Sequence, residues 1–341
     1  MIMFERHRTC CALALVAAAT LLSLGCGEDA AADNTPIDVT GGGDVNEEIR
    51  HGGDATGNDG TRLRVVTFNV LCSMCPKAEN DPWKDRVPHL QALIKEYDAD
   101  ILGVQELVPR ELAIGTKGGD EPGLMVATHP VYVSLYWQAT TTDASFSTYP
   151  DAVIYLRKSR FEVLDSGTYW LGPKPDEPLS EGFLKGKPTL SRLVVWATVK
   201  DKWSGRKLYV ANTHFDPNSP SQELSAPLVM GRLPKDKSLR EHAIIVGDFN
   251  AKPDRDAYKT IVAAQADGVT LREAYPASAA KDVVHNADKA PVWEPKDQID
   301  HIFVGPKLAV SKWMVDMKKF GPNKRFPSDH RLIAADLKFL D

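Results

Sequence analysis

Two kinds of hydrophobic pattern divide most of this chain. The run RLRVVTFNV (62–70) is rich in β-branched and apolar residues and ends on a polar one, which predicts a strand. ADILGVQE (99–106) predicts a second, buried strand that ends on a carboxylate. Between them, WKDRVPHLQALIKEYD sets Val87, Leu90, Leu93, Ile94 and Tyr97 at helical spacing, with Pro88 expected in the first turn, where a missing N–H costs little. Further strands are predicted at 131–137, 151–157, 161–171, 192–200, 206–213, 243–247, 299–304, 309–316 and 331–338, and helices at 221–231 and 255–264. Many strands with few helices between them point to an α/β domain of two sheets packed face to face with helices outside. A doubly wound parallel sheet would need more crossover helices. No internal repeat is present.

The N-terminal part follows neither pattern. Arg6 and Arg8 precede the apolar run TCCALALVAAATLLSLGC, a signal-peptide pattern too short for a comfortable membrane span. The run ends at LSLGC, close to a bacterial lipoprotein box, which makes 1–26 a signal segment of lipoprotein type and Cys26 the candidate lipidated first residue of the mature protein. Residues 27–60 have almost no large apolar side chains and many glycines. They carry nine acidic residues against Arg50, a composition that stays disordered and serves as a tether. The expected setting is an exported protein held on a membrane by its lipid, in the periplasm or at the cell surface, or else secreted.

Composition is otherwise ordinary for a globular protein, with 43% apolar and 26% charged residues. Of the formal charge of −5, residues 1–26 contribute +1 and the tether −8, so residues 61–341, the expected folded domain, carry +2. A near-neutral domain has no strong footprint for duplex nucleic acid and remains compatible with a small phosphate substrate. Two local basic runs, 231–242 and 318–326, leave nucleic acid open as a substrate. Cys72 and Cys75 form a lone C-x-x-C with no second pair to complete a zinc site, and in an oxidising compartment they are disulfide candidates.

Chemistry-bearing residues recur at the rims of the apolar strands: Asn69, Glu106, Asp151, Asn212, His214, Asp216, Asp248, Asn250, Asp300, Asp329 and His330. An Asn or Asp at a strand end is commonly a turn residue, and a lone histidine near a core is commonly packing. A carboxylate between Ile299 and Ile302 is different, because burial there demands a partner. Together these residues suit phosphoester hydrolysis. Mg²⁺, or Mn²⁺ or Ca²⁺ in its place, takes oxygen ligands and polarises a phosphoryl oxygen. Asn250 can donate to the phosphate, Asp248 can orient or deprotonate water, and an imidazole held by a buried carboxylate is biased to its cationic form.

The ordered set TFNV, DILGVQE, NTHFD, GDFNAKP, QIDHIF and PSDHRL resembles the endonuclease/exonuclease/phosphatase superfamily, with its deoxyribonuclease-I-like fold, over residues 62–340. The resemblance implies a four-layer α/β/β/α sandwich of mixed or antiparallel sheets with the site at one rim. It also implies Glu106 as metal ligand with Asn69 and Asp329 near the metal, Asp248 and Asn250 at the water and phosphate, and His330 as catalytic imidazole paired with Asp300. His214 matches a second imidazole, whose partner stands where Asp151 is. The stretches RFEVLDSGTYWLGPKPDEP and RLVVWATVKD resemble a secreted bacterial branch of metal-dependent hydrolases. Two features usual in that branch are missing here: an arginine shortly after the NTHFD position, and HGF before the QIDHIF strand. Three functions are therefore expected in order: an exported metal-dependent phosphoesterase on a phosphomonoester or phosphodiester, an extracellular nuclease, and a non-catalytic binding lipoprotein.

Overall fold

Thirteen strands, β1 to β13, make two sheets among the described residues, which in this computed structural model are 62–341 apart from 74, 76, 108–130, 138–151, 185–190 and 286–292. The expected signal peptide, Cys26, the tether and Asp151 lie outside the described residues. The first sheet contains β1 (Arg62–Asn69), β2 (Ile101–Gln105), β3 (Tyr132–Leu135), β4 (Ala152–Arg157), β10 (Ala280–Val284), β12 (Leu308–Asp316) and β13 (Ile333–Phe339), in the order β10-β12-β13-β1-β2-β4-β3. The second contains β5 (Phe161–Trp170), β6 (Leu193–Asp201), β7 (Lys207–His214), β8 (Ala243–Asp248), β9 (Arg272–Glu273) and β11 (Asp300–Val304), in the order β5-β6-β7-β8-β11-β9.

Side-chain alternation explains how these layers stack. In β1, Leu63 and Val65 face the second sheet, whereas Val66 and Phe68 face outward onto helix α1 (Trp83–Tyr97), which buries Leu90, Leu93, Ile94 and Tyr97 there. In β8, Ile244 and Val246 face inward. Ala243 and Ile245 face outward onto helices α2 (Ser221–Gly231) and α4 (Asp256–Ala263), through Val229, Met230, Ala257 and Ile261. Helix, sheet, sheet and helix thus form four layers with one core between the sheets and one beneath each helical layer. Gly103 of β2 permits close approach of the sheets: a Cβ there would lie 2.3 Å from Val246 Cγ2.

Sheet polarity sets where the site falls. β1 and β2 run parallel, as do β7 and β8, so all four end at one rim. β11 and β13 run antiparallel to their neighbours and begin at that rim.

The structure adds elements absent from the sequence expectation: the short helices α3 (Lys237–Glu241) and α5 (Ala274–Ala277), β9, edge strand β10 and a 3₁₀ turn at Pro295–Asp297. It also corrects one position. Helix α1 starts at Trp83, so Pro88 lies at its sixth residue and not in its first turn. The earlier start carries Arg86 and Val87 into buried positions, and burial of that face outweighs the single helical hydrogen bond that proline removes.

Candidate active site

The inward rows of the strands run directly into the site. Continuing each row by two residues leads from Val65 past Thr67 to Asn69, from Val210 past Asn212 to His214, and from Val246 to Asp248. Asp300 opens the inward row of β11. Register finishes the placement, since His214 and Asp300 are both cross-strand partners of Asp248. Phe249 faces the other way and is fully buried among Phe215, Phe303 and His301.

Asp248 is the hub. Its side chain is 1% exposed. Oδ2 lies 3.1 Å from Asn69 Nδ2, 3.3 Å from His214 Nε2 and 3.7 Å from His330 Nε2, and Oδ1 accepts from Asn250 N at 2.8 Å. His330 donates from Nδ1 to Asp300 Oδ2 at 2.8 Å. Burial penalises the Asp248 carboxylate, but His330, His214 and the donors from Asn250 and Asn69 outweigh it and hold the group below its usual range. Burial also opposes charge on His330, yet Asp300 and Asp248 together raise it to about 10. Burial pushes Asp300 up against the pull of His330. The proton between them therefore sits on the imidazole, flanked by two carboxylates.

Glu106 reaches the site by a different route. Alternation along β2 would turn it outward with Leu102 and Val104, but its backbone sits at φ 58°, a region that non-glycine residues seldom adopt. Glu106 Oε1 accepts from Asn69 Nδ2 and Oε2 from Cys72 N, both at 3.1 Å. Leu71 (φ 55°) and Asn250 (φ 48°) share this conformation, so three strained residues ring the site. Asn250 carries its backbone N–H to Asp248 and its Nδ2 to Phe215 O at 2.9 Å. Asp329 is half-exposed and faces Lys77 Nζ at 3.4 Å. Asp216 instead accepts from Asn218 and holds a turn.

A divalent cation fits this donor set. The oxygen-rich side chains of Glu106, Asp248, Asp300 and Asp329 belong to strand ends and starts at one rim, the chemistry hard cations require. Ligand atoms of Asp248, Asp300 and His330 lie within 4.8 Å of one another, but the protonated imidazole has no lone pair for a cation, so only the carboxylates there can serve; Asp300 Oδ1 is buried without a hydrogen-bond partner among the described residues. Asn69 is oriented as a clamp, since its Oδ1 accepts from Leu71 N while Nδ2 spans Glu106 and Asp248. Cys72 and Cys75, beside Glu106, are joined as a disulfide, which removes their thiolates from any ligand set.

Three arginines that the strand-rim pattern did not single out, Arg86 and Arg192 buried and Arg331 half-buried, organise the loops. Arg86 of α1 donates to Val70 O and Leu71 O at 2.7 Å and to Pro327 O at 2.8 Å, tying the loop after Asn69 to the loop before Asp329. Arg331 gives NH1 to the carbonyls of Ser328, Asp329 and His330. Arg192, just before β6, places NH1 2.7 Å from His214 Nδ1. A guanidinium only donates, so Nδ1 accepts in this contact and Nε2 is the nitrogen turned to Asp248. Arg192 therefore brings a cation to the histidine of NTHFD, although no arginine follows that motif in sequence. Its only sequence signal was its place at the head of RLVVWATVKD.

Below this layer a second polar row joins the sheets. Gln105 Nε2 donates to Asn212 Oδ1 at 2.6 Å and to Thr67 Oγ1 at 3.1 Å, and Asn212 Nδ2 donates to Val104 O and Val153 O at 2.9 Å. Asn212 is thus an inter-sheet bridge beneath the site.

A two-sheet sandwich whose shared rim gathers acids, amides and two histidines defines a phosphoesterase-like class of site. The chain belongs to the Endonuclease/Exonuclease/phosphatase family, whose model matches residues 66–330. Among solved structures, it is similar to a family protein from Bacteroides vulgatus, at 27% identity and TM-score 0.65, covering 82% of this chain and 99% of that one. A mannosyl-6-phosphatase from Bacteroides thetaiotaomicron shares the fold at 24% identity and TM-score 0.63, covering 81% and 100%. So does D. rerio TDP2 complexed with single strand DNA product, at 20% identity and TM-score 0.55, covering 81% and 99%. No curated protein matches the chain.

Proposed function

We propose that this protein is an exported, lipid-anchored, Mg²⁺-dependent phosphoesterase that hydrolyses a small phosphate ester. The observation that carries this reading is the convergence on Asp248 Oδ2 of Asn69 from one sheet, His214 from the other and His330 from the loop before β13. Glu106, with Asp329 nearby, would hold the cation. The bound ion supplies charge neutralisation at a phosphoryl oxygen. Asp248, kept ionised, orients a water and takes its proton. Asn250 offers its amide to the phosphate without repelling it. His330, kept cationic between Asp300 and Asp248, stabilises charge that builds on phosphorus-bound oxygen. Export and anchoring through Cys26 rest on the N-terminal sequence, with residues 27–60 as the leash.

A nuclease is the second reading, favoured by the family and by the DNA-bound structural neighbour. The basic runs available to serve it are largely neutralised within the fold. Arg232 pairs bidentately with Asp176 at 2.7 Å, Arg240 with Asp267 at 3.2 Å and Arg325 with Asp81 at 3.3 Å. Lys318 pairs with Glu96 and Asp316. Tight binding of a polyanion needs cations that are free to neutralise it.

The test is a panel on the purified full-length protein with and without EDTA: duplex DNA, RNA, a sugar phosphate, an inositol phosphate and sphingomyelin. Metal-dependent release of phosphate from a monoester, abolished in Asp248→Asn, is expected. In Glu106→Gln, the rise in melting temperature on adding Mg²⁺ or Mn²⁺ should shrink together with activity. Hydrolysis unaffected by EDTA, or equal metal responses of Glu106→Gln and wild type, would refute the assignment.

A further inference from the structure

On the imidazole side of the site lies a cavity of about 370 Å³. Asp329 and His330 stand at one end, and Trp293, Glu294, Met317 and Arg331 line the rest. Trp293 is a fixed wall. Its ring lies 4.7 Å from the fully buried Trp313 and 5.4 Å from Tyr275, and Tyr275 meets Trp313 edge-on at 4.9 Å. An aromatic surface supported in this way presents area without losing side-chain freedom on binding.

Away from His330, the polar side chains of the cavity are carboxylates, the Gln298 amide, whose Nε2 is committed to Glu273 and to Asp300 O, and Arg331. Glu294 and Asp297 are exposed carboxylates that can only accept, and Asp297 already meets Lys252 at 2.6 Å. Besides His330, the lining cation is Arg331, which is engaged in the loop it belongs to, with NH1 on three carbonyls and its guanidinium 3.4 Å over the Phe326 ring. A second phosphate placed here would meet carboxylates and an occupied guanidinium. A ring carrying hydroxyls would lay its C–H face on the indole and donate to the acids. The volume suits a group of about monosaccharide size.

We infer that this cavity takes the non-phosphate part of the substrate and that this part is a neutral, hydroxylated ring, so that the preferred substrate is a sugar phosphate and not a nucleic acid. The inference rests on the phosphoesterase reading above and adds the substrate class to it.

The experiment compares kcat and KM of the metal-loaded, full-length protein on hexose 6-phosphate, p-nitrophenyl phosphate and a dinucleotide. Wild type should favour the hexose phosphate by about tenfold or more in kcat/KM. Trp293→Ala should raise KM for it about tenfold with kcat within about threefold, and Trp293→Phe should recover most of that loss. Glu294→Gln, at an exposed position that leaves packing intact, should raise KM for the hexose phosphate severalfold and leave the ratio for the other two nearer wild type. A preferred dinucleotide, or a KM change in Glu294→Gln that is the same for all three substrates, would overturn the sugar assignment while leaving the phosphoesterase reading in place. Absence of metal-dependent turnover on any of the three would overturn both.

Discussion

His330 is held by Asp300 on one nitrogen, at 2.8 Å, and faces Asp248 with the other, at 3.7 Å. Asp300 and Asp248 are cross-strand partners, so the width of one ladder sets the gap that the imidazole fills. Asp300→Asn keeps the size but loses the charge that orients and protonates the ring. It should lower kcat by about 10²–10³-fold with KM within about threefold. Steady-state kinetics on a phosphate ester decide this, and a pure KM defect would contradict the positioning role.

The same pair predicts a pH dependence of stability in the metal-free protein. The His330 pKa is raised in the folded state to about 10, from 6.5 when unperturbed. Its stabilising contribution is then complete below pH 6.5 and is lost as pH rises from there through about 10. Urea unfolding in EDTA should show wild type losing more stability than His330→Gln across that window. Parallel pH profiles for the two proteins would show that the imidazolium is not stabilised by its two carboxylates.

Arg86 fastens the loop after Asn69, whose Cys72 N donates to Glu106, to the loop before Asp329. Arg86→Ala would leave three buried carbonyls without a donor and should cost about 3–4 kcal/mol in stability. Arg86→Lys keeps the charge but lacks the fork that reaches three acceptors, and should fold with a weaker site. The readout is the rise in melting temperature on titrating Mn²⁺. It should shift to higher metal concentration in Arg86→Lys, whereas a merely structural role would lower the starting melting temperature and leave the metal response unchanged.

Gly103 faces Val246 and Asn212 across the space between the sheets, two residues before Gln105 of the bridge. Gly103→Ala should destabilise by about 1–3 kcal/mol through overpacking against Val246, and Val246→Ala in the same chain should recover part of it. Chemical denaturation of the three variants measures this, and additive losses would mean that the two side chains do not collide.

Much of the site was legible because strands announce themselves by alternation, and alternation also says which rim residues face inward. Asn69, His214, Asp248 and Asp300 could be read in this way. Glu106 could not, because its inward direction depends on a positive φ that no spacing encodes. The arginines were invisible for a related reason: Arg86 looks like an ordinary polar position on an amphipathic helix until the loops it binds are in place. Strand β10 escaped because its residues are half-buried or exposed at a sheet edge, where no hydrophobic period is required.

By itself, then, the sequence determined most of the elements, the pairing of two sheets and the set of acids, amides and imidazoles at strand rims, since burial imposes a period on every strand it covers. Tertiary structure alone decided which of those residues meet, which carries the proton and which loops are tied together. Those outcomes depend on cross-strand register, on backbone strain and on charges brought from distant segments into a space where water no longer screens them.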